Sequence, residues 1–212
     1  MFYSEVFNIP LHRQILGQII RMVKNVNIAI FASGGGSNAQ KIIEHFAQST
    51  QVEIALIVSD KRKAGVIEKA ETAGIPWYVH SQDEMEDGTL LTVLEEYKID
   101  FIVLAGYLKK IGQDLIDAFP NAIVNIHPAL LPKYGGKGMY GMNVHEAVVA
   151  AGEIESGPTI HFVNEHYDEG TIIAQFKCPV YKNDNAEAVQ KRVLALEHKH
   201  YPKVIESIIQ KL

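Results

Sequence analysis

The sequence predicts an α/β fold, in which a mostly parallel but mixed sheet is flanked by helices and followed by a C-terminal hairpin and a long C-terminal helix. Short β-branched runs alternate with amphipathic segments along most of the chain, as in proteins built from βα units. The run DFIVLAGY at 100–107 is apolar on both faces, which is typical of a strand covered on both sides. The strand-like runs at 158–163 and 171–177 are joined only by NEHYDEG, and so short a connection indicates an antiparallel hairpin.

Composition indicates one globular domain without nucleic-acid or membrane partners. The 212 residues are 47% hydrophobic and 21% charged, which is enough for one full core. A net charge of −5 disfavours binding to nucleic acid, which needs clustered Lys and Arg. No apolar run reaches the ~18–20 residues that span a bilayer. The single cysteine, Cys178, excludes an internal disulfide and favours a reducing, cytoplasmic location.

Residues 1–25 are expected to be an extension outside the native domain. Their amphipathic patch, which includes Ile15 and Ile19, lacks the long apolar region and the cleavage site of a signal peptide. Met22 lies just ahead of the first convincing strand, so we expect translation to begin there naturally. The folded domain is therefore predicted to span 26–212.

A glycine-rich turn follows the first strand. The run VNIAIFA at 26–32 leads into SGGGSN and a helical pattern, in which Ser37 and Gln40 have the spacing of a capping box. This spacing predicts a helix that begins at Asn38, with its free amide groups facing the glycines. Glycines allow a ligand to approach the backbone closely, and a helix N-terminus carries about half a positive charge. The turn therefore suits a phosphate.

The same turn leaves a second interpretation open. Gly34, Gly36 and Ala39 satisfy the G-x-G-x-x-A dinucleotide pattern, and Asp60 ends the next strand, where a ribose-binding acid is expected. A nicotinamide-dependent dehydrogenase is therefore an alternative at this point. A P-loop nucleotide site is excluded, because no Lys directly follows the glycines.

The remaining elements alternate in the same way. The last helix is predicted to begin at Asp184, which has capping-box spacing with Glu187, and to be disturbed at Pro202. The other helical patterns occupy 64–73, 90–98, 112–119 and 143–151, and the other strands occupy 52–60, 75–79, 100–107 and 122–127.

The stretch AIVNIHPALLPKYGG at 122–136 carries the strongest chemical signal. Strand alternation places Asn125 and His127 on one face, and Pro128 and Pro132 then turn the chain into a glycine-rich loop. An amide and an imidazole that point the same way at a strand end can donate hydrogen bonds to an oxyanion, which suits attack on a carbonyl. A nearby carboxylate would stabilise the imidazolium and so raise the pKa of the histidine.

The attacking group is expected to belong to a substrate rather than to the protein. The nucleophile motif G-x-S-x-G is absent, and Cys178 lies in a strand next to a proline. No metal is expected either, because the histidine pairs at 161/166 and 198/200 lack the cysteine or carboxylate partners of a zinc site.

Four motifs in order, FASGGGSN, LAGYLKKI, NIHPALLPKYGG and GPTIHFVNEHYDEG, resemble the phosphoribosylglycinamide formyltransferase family over about residues 26–210. The resemblance implies a Rossmann-like mixed sheet, with a phosphate-binding half at about 26–120 and a catalytic and folate-binding half at about 121–212. It implies direct formyl transfer from 10-formyltetrahydrofolate to the amine of N1-(5-phosphoribosyl)glycinamide in de novo purine biosynthesis, through a tetrahedral intermediate. It also implies small-molecule partners only and a monomer or homodimer.

The resemblance also implies residue roles. Asn125 and His127 polarise the formyl oxygen, with His127 as the general acid, and Asp168 raises the pKa of His127. The ribosyl-glycinamide site comprises Gly36, Ser37, Asn38, Leu194 and Glu197. The folate site comprises Leu108, Lys109, Lys110, Ile111, Asn125, Asn164, Glu165, His166, Tyr167 and Asp168.

Three positions depart from the family pattern. The segment 80–88 lacks the Arg that often holds the folate, and Leu194 stands where a polar residue is common. The loop around 135–141 is unusually rich in glycine, which suggests a mobile lid whose Lys137 meets an anion.

Related and unrelated activities remain as alternatives. A formyltetrahydrofolate hydrolase is expected to carry an N-terminal regulatory domain, for which 1–25 is too short, and a methionyl-tRNA formyltransferase a C-terminal RNA-binding domain. A dehydrogenase would leave Asn125, His127 and Asp168 without a task. A non-catalytic nucleotide-binding module would likewise leave these three residues without a function.

Overall fold

The computed structural model of the chain describes residues 25–211, so the extension predicted at 1–25 lies outside the described residues except for Asn25. The strands are β1 Val26–Phe31, β2 Val52–Ser59, β3 Trp77–Val79, β4 Phe101–Leu104, β5 Ile123–His127, β6 Glu155–Ser156, β7 Thr159–Phe162, β8 Ile172–Gln175 and β9 Cys178–Pro179. The helices are α1 Ser37–Phe46, α2 Gly65–Ala73, α3 Gln82–Glu86, α4 Thr89–Glu96, α5 Gln113–Ala118, α6 Met142–Ala150 and α7 Ala186–Ile209.

Seven strands form one sheet in the order β3-β2-β1-β4-β5-β7-β8. The first five strands in this order run parallel, whereas β7 pairs antiparallel with both β5 and β8. The predicted mixed sheet and C-terminal hairpin are therefore confirmed. Because parallel strands end at the same edge of a sheet, the segments that follow β1, β4 and β5 meet there.

Helices cover both faces of the sheet, which explains why the central strands are apolar throughout. On one face α1, α2 and α7 pack over residues such as Ile30 and Val124, and on the other α3, α4 and α5 pack over residues such as Phe31 and Leu104. The fully buried Tyr201 of α7 directs its hydroxyl to the carbonyl oxygens of Leu104 (2.9 Å) and Val124 (3.2 Å). This contact fixes α7 against the strands that lead into the site.

Two helix starts differ from the sequence prediction. Helix α1 is preceded by Gly36 in a left-handed conformation (φ 68°), without a side-chain cap, and Gln40 bonds to Glu44 instead of capping. Helix α7 is capped by Asn185, because Asp184 accepts a hydrogen bond from the Tyr181 amide and pairs with Arg192. Helix α7 is thus capped by the residue after the predicted one, whereas α1 begins after a left-handed glycine and has no side-chain cap.

Other differences concern short or interrupted elements. Helix α3 and the two-stranded sheet of β6 and β9 were not predicted, since elements of two to five residues carry no periodic signal. Helix α7 continues past Pro202 to Ile209 as one element, so the predicted disturbance does not end it. Within 25–211, no helix combines the length and the apolar character needed to cross a membrane.

Candidate active site

A cavity of about 550 Å³ opens at the carboxyl ends of β1, β4 and β5. Among the predicted site residues, only Glu165 does not line it; its side chain is 57% exposed and lies near His166. Three loops and helix α7 thus bring the predicted residues together. The lining includes Gly36, Ser37, Asn38, Leu108, Lys109, Lys110, Ile111, Asn125, His127, Asn164, His166, Tyr167, Asp168, Leu194 and Glu197.

One end of the cavity is formed by Gly34–Gly36 and the first turn of α1. A Cβ added at Gly34 or Gly35 would meet nothing within 4 Å, so these residues face open space. Gly36 has no open space beside it, since a Cβ there would lie 2.8 Å from the Cβ of Val66. The first turn of α1 contains no acidic residue and no side-chain cap, and Ser37 and Asn38 of this turn line the cavity, which suits an anion.

Glu197 and Asn38 form a buried pair beside this end of the cavity. The Asn38 Nδ2 donates to Glu197 Oε2 over 2.6 Å, and Glu197 is only 7% exposed. Burial raises the pKa of Glu197 to about 7, although the Asn38 hydrogen bond acts in the opposite direction. The carboxyl group therefore titrates near neutral pH and can accept hydrogen bonds from a polar ligand.

His127 is anchored through both ring nitrogens. Its Nε2–H donates to the Tyr134 carbonyl oxygen (2.7 Å), and its Nδ1 lies 3.4 Å from Asp168 Oδ2. Burial lowers the pKa of His127 below its ordinary value, although Asp168 and the Tyr134 carbonyl both act to raise it. Asp168 therefore acts on this pKa in the expected direction, but removal of the ring from water outweighs the carboxylate and the net shift is downward.

Asp168 is held in the ionised form opposite His127. Its backbone is left-handed (φ 58°), and its Oδ2 accepts a hydrogen bond from the Gly136 amide (2.8 Å). Although burial raises the pKa of Asp168, the contacts with His161, His127 and the Gly136 amide lower it overall. An ionised Asp168 is positioned to stabilise an imidazolium at His127, and it also ties the glycine-rich loop to the site.

His161 is a site residue that sequence analysis missed. It pairs with Asn125 across β5 and β7, and the Asn125 Nδ2 donates to its Nε2 (3.2 Å). Its Nδ1–H donates to the Phe162 carbonyl oxygen (2.8 Å), so a neutral ring presents Nε2 as an acceptor. His161 thereby orients the Asn125 amide. The signal in the sequence that points to His161 is its place in the strand-like run TIHF, just before the NEHYDEG connection.

Further polar residues line the cavity, but the acidic residue of the dinucleotide pattern does not. His145 of α6 is buried, and burial, together with the neighbouring His127, lowers its pKa to about 4, so it is neutral. Lys137 and Tyr140 of the glycine-rich loop also line the cavity. Asp60 does not, which removes the ribose ligand that the dehydrogenase alternative required. Among the residues described, no cluster of three His, Cys, Asp or Glu side chains could hold a metal ion.

Comparison with known proteins identifies close similarity. The sequence model described as "Formyl transferase" matches residues 26–205. The chain is 47% identical over 190 residues to the chloroplastic phosphoribosylglycinamide formyltransferase of Arabidopsis thaliana, covering 86% of this chain and 65% of the relative. It is 36% identical over 187 residues to the phosphoribosylglycinamide formyltransferase of Bacillus subtilis, covering 85% and 93%.

Solved structures show the same similarity. The phosphoribosylglycinamide formyltransferase of Anaplasma phagocytophilum superposes with a TM-score of 0.81 at 32% identity, covering 89% of this chain and 88% of that one. The similarity therefore includes both halves of the sheet and the segments that carry the cavity. The chain spans less than two thirds of the length of the Arabidopsis relative, but nearly all of the Bacillus protein.

Proposed function

Because this chain belongs to the formyl transferase family, we propose that it transfers a formyl group from 10-formyltetrahydrofolate to the amine of N1-(5-phosphoribosyl)glycinamide in de novo purine biosynthesis. One observation carries the proposal. Asn125, His127 and Asp168 converge in a cavity whose other end is a glycine-rich helix N-terminus suited to a phosphate. The cavity therefore offers an anion site and an oxyanion site to two substrates at once.

The ribosyl-glycinamide occupies the end of the cavity near α1. Its phosphate binds the backbone amides of Gly36, Ser37 and Asn38, where the helix dipole favours negative charge. Its ribose hydroxyls bind Glu197, with Leu194 of the same helix beside them. The amine then reaches towards Asn125 and His127.

The folate occupies the end of the cavity formed by 108–111 and 164–168. Exposed backbone groups of these two segments bind the pteridine, and Lys109 and Lys110 contribute cationic side chains to the same region. Lys137 meets an anionic substrate group from the glycine-rich loop. No metal is assigned a role.

Transfer proceeds by direct attack of the amine on the formyl carbon. A C–N bond forms, and the formyl oxygen becomes an oxyanion that accepts a hydrogen bond from Asn125 and, once His127 is protonated, a second one from the imidazolium, each worth ~10²–10³ in rate. Because burial lowers the pKa of His127, the neutral ring can take the proton that the amine loses. Stabilised by Asp168, the imidazolium then gives this proton to the departing folate nitrogen. The protons balance, and no covalent enzyme intermediate forms.

The protein acts in the cytoplasm on small molecules, as a monomer or homodimer. Cys178 is a free, buried thiol, which fits a reducing compartment.

A steady-state assay tests the reaction class. With 10-formyltetrahydrofolate and ribosyl-glycinamide, tetrahydrofolate and formylated ribosyl-glycinamide are expected in equal amounts, and omission of the amine is expected to abolish tetrahydrofolate release. Equal tetrahydrofolate release without the amine would instead identify a hydrolase. Reduction of NAD in place of formyl transfer would identify a dehydrogenase.

A further inference from the structure

Tyr134 connects His127 to a group outside the cavity. Its carbonyl oxygen accepts the hydrogen bond from His127 Nε2 (2.7 Å), whereas its hydroxyl donates to Glu153 Oε1 (2.9 Å). Neither Tyr134 nor Glu153 lines the catalytic cavity; both line a second, smaller cavity behind the 130–134 segment. Glu153 is therefore linked to His127 through two hydrogen bonds, one to the hydroxyl and one to the carbonyl oxygen of Tyr134.

The backbone of Tyr134 needs such support. Its φ of 58° is left-handed, a conformation that costs a non-glycine residue energy and persists only where the surroundings enforce it. The ring packs against a small apolar cluster that includes Val148 and Val193, and the hydroxyl bond to Glu153 fixes its outer end. Both contacts hold the carbonyl oxygen at His127.

Glu153 is well suited to hold the phenol. It follows α6, whose end it joins through its amide and the Val148 carbonyl oxygen (3.3 Å). The hydrogen bond from Lys133 (2.8 Å) is the main cause that lowers the pKa of Glu153, so the carboxylate is ionised at neutral pH. An ionised acceptor forms a stronger hydrogen bond with the Tyr134 hydroxyl than a neutral one.

We propose that Glu153 and Tyr134 are positioning residues, which hold the Tyr134 carbonyl oxygen against Nε2 of His127 and so set the orientation and tautomer of that ring. With the proton fixed on Nε2, Nδ1 is the nitrogen that exchanges a proton beside Asp168. The catalytic consequence rests on the proposed function, whereas the orientation of the ring does not.

The variants Tyr134→Phe and Glu153→Ala test the pair. Tyr134→Phe keeps the ring in its apolar cluster, and Glu153→Ala removes the acceptor together with its ion pair to Lys133. Glu155→Ala is the matched control, because Glu155 forms an equivalent ion pair with Lys177 (2.7 Å) and, within residues 25–211, no hydrogen bond with a tyrosine. Glu153→Gln retains an acceptor for the hydroxyl.

The first readout is the ¹⁵N signal of His127 followed through a pH titration. Tyr134→Phe and Glu153→Ala are expected to change the tautomer signal and lower the pKa of His127, since the Tyr134 carbonyl favours the imidazolium. Glu153→Gln is expected to restore most of the wild-type signal, and Glu155→Ala to leave it unchanged. Unchanged His127 signals in folded Glu153→Ala or Tyr134→Phe protein would overturn the proposal.

The second readout is turnover. Both variants are expected to lose about tenfold in kcat with KM unchanged, since small displacements of a reacting group have effects of this order. The double variant is expected to lose no more than either single one, because both changes break one chain. Additive losses would overturn the proposal. If the wild-type protein transfers no formyl group, the ¹⁵N readout still decides the positioning role, so the two failures are distinguishable.

Discussion

Glu197 is buried at the cavity, and its pKa of about 7 has a consequence for stability. In the unfolded chain this carboxyl group has its ordinary pKa of 4.5, so the folded state holds the proton more tightly. The associated stability is fully present below pH 4.5 and is lost as the pH rises through 7. The shift corresponds to about 3 kcal/mol between these limits.

We therefore predict that Glu197→Gln is stabilised relative to the wild type by an amount that increases by about 3 kcal/mol from pH 4.5 to pH 8. Glutamine keeps an acceptor for Asn38 but does not ionise. Urea unfolding at several pH values measures the difference. Glu187→Gln, in the first turn of the same helix, is the control and is expected to show no such trend. If the difference in unfolding free energy between Glu197→Gln and the wild type did not change with pH, the raised pKa of Glu197 would be contradicted.

His161 is predicted to act through Asn125. His161→Ala removes the acceptor of the Asn125 amide, so the amide gains orientations that do not face the formyl oxygen. We expect kcat to decrease about tenfold while KM for both substrates stays within twofold, as for loss of preorganisation. His45→Ala, which removes a histidine outside the cavity lining, serves as the control. Full activity in His161→Ala would show that Asn125 is oriented without it.

At the scale of elements, the β7–β8 hairpin depends on one close approach. A Cβ added at Gly170 would lie 1.7 Å from the carbonyl oxygen of Phe162, the same oxygen that accepts the His161 hydrogen bond. The nearest atoms are the backbone carbonyl of Phe162 and the buried ring of His161, neither of which is the movable end of a flexible side chain. Gly170 therefore maintains both the hairpin and the orientation of His161.

Gly170→Ala is predicted to cost about 3 kcal/mol of unfolding free energy, because the overlap forces the backbone apart. Gly74→Ala is the matched control. Gly74 has a left-handed φ of 69°, but a Cβ there would meet nothing within 4 Å, so only about 1 kcal/mol is expected. Thermal or urea unfolding compares the two variants. Equal destabilisation would show that the close approach at Gly170 is not rigid.

Long elements were predictable from sequence, whereas their ends were not. The strand β5 and the helix α7 followed from periodicity alone, because a buried face imposes a regular apolar pattern. The start of α1 did not, since Gly36 satisfies the turn through its backbone and leaves Ser37 without a capping role. Helix α3 was too short to give a periodic signal.

At the scale of the whole molecule, topology explains how distant motifs form one site. The glycine turn after β1, the 106–111 segment after β4 and Asn125 and His127 in β5 meet because their strands are parallel neighbours. Asp168 reaches the same place through the antiparallel hairpin. The alternation of elements predicted this arrangement, and the motif resemblance named most of the residues that line the cavity, although not His161.

Cross-strand partners and ionisation could not be predicted in the same way. The pairing of Asn125 with His161 depends on the register between β5 and β7, which no local pattern specifies. The downward shift in the pKa of His127 depends on burial by several loops at once. In the sequence, the nearby carboxylate predicts a charged imidazole at His127. The removal of the ring from water, which lowers its pKa, is seen only in the folded structure.

The turnover of His127→Ala tests the assigned chemistry most directly. With 10-formyltetrahydrofolate and ribosyl-glycinamide, kcat is predicted to decrease by at least ~10², because oxyanion stabilisation and proton transfer are both lost. Asp168→Asn is expected to show a similar loss, and circular dichroism is expected to show an intact fold. Near-normal turnover of folded His127→Ala protein would contradict the assignment of formyl transfer to this cavity.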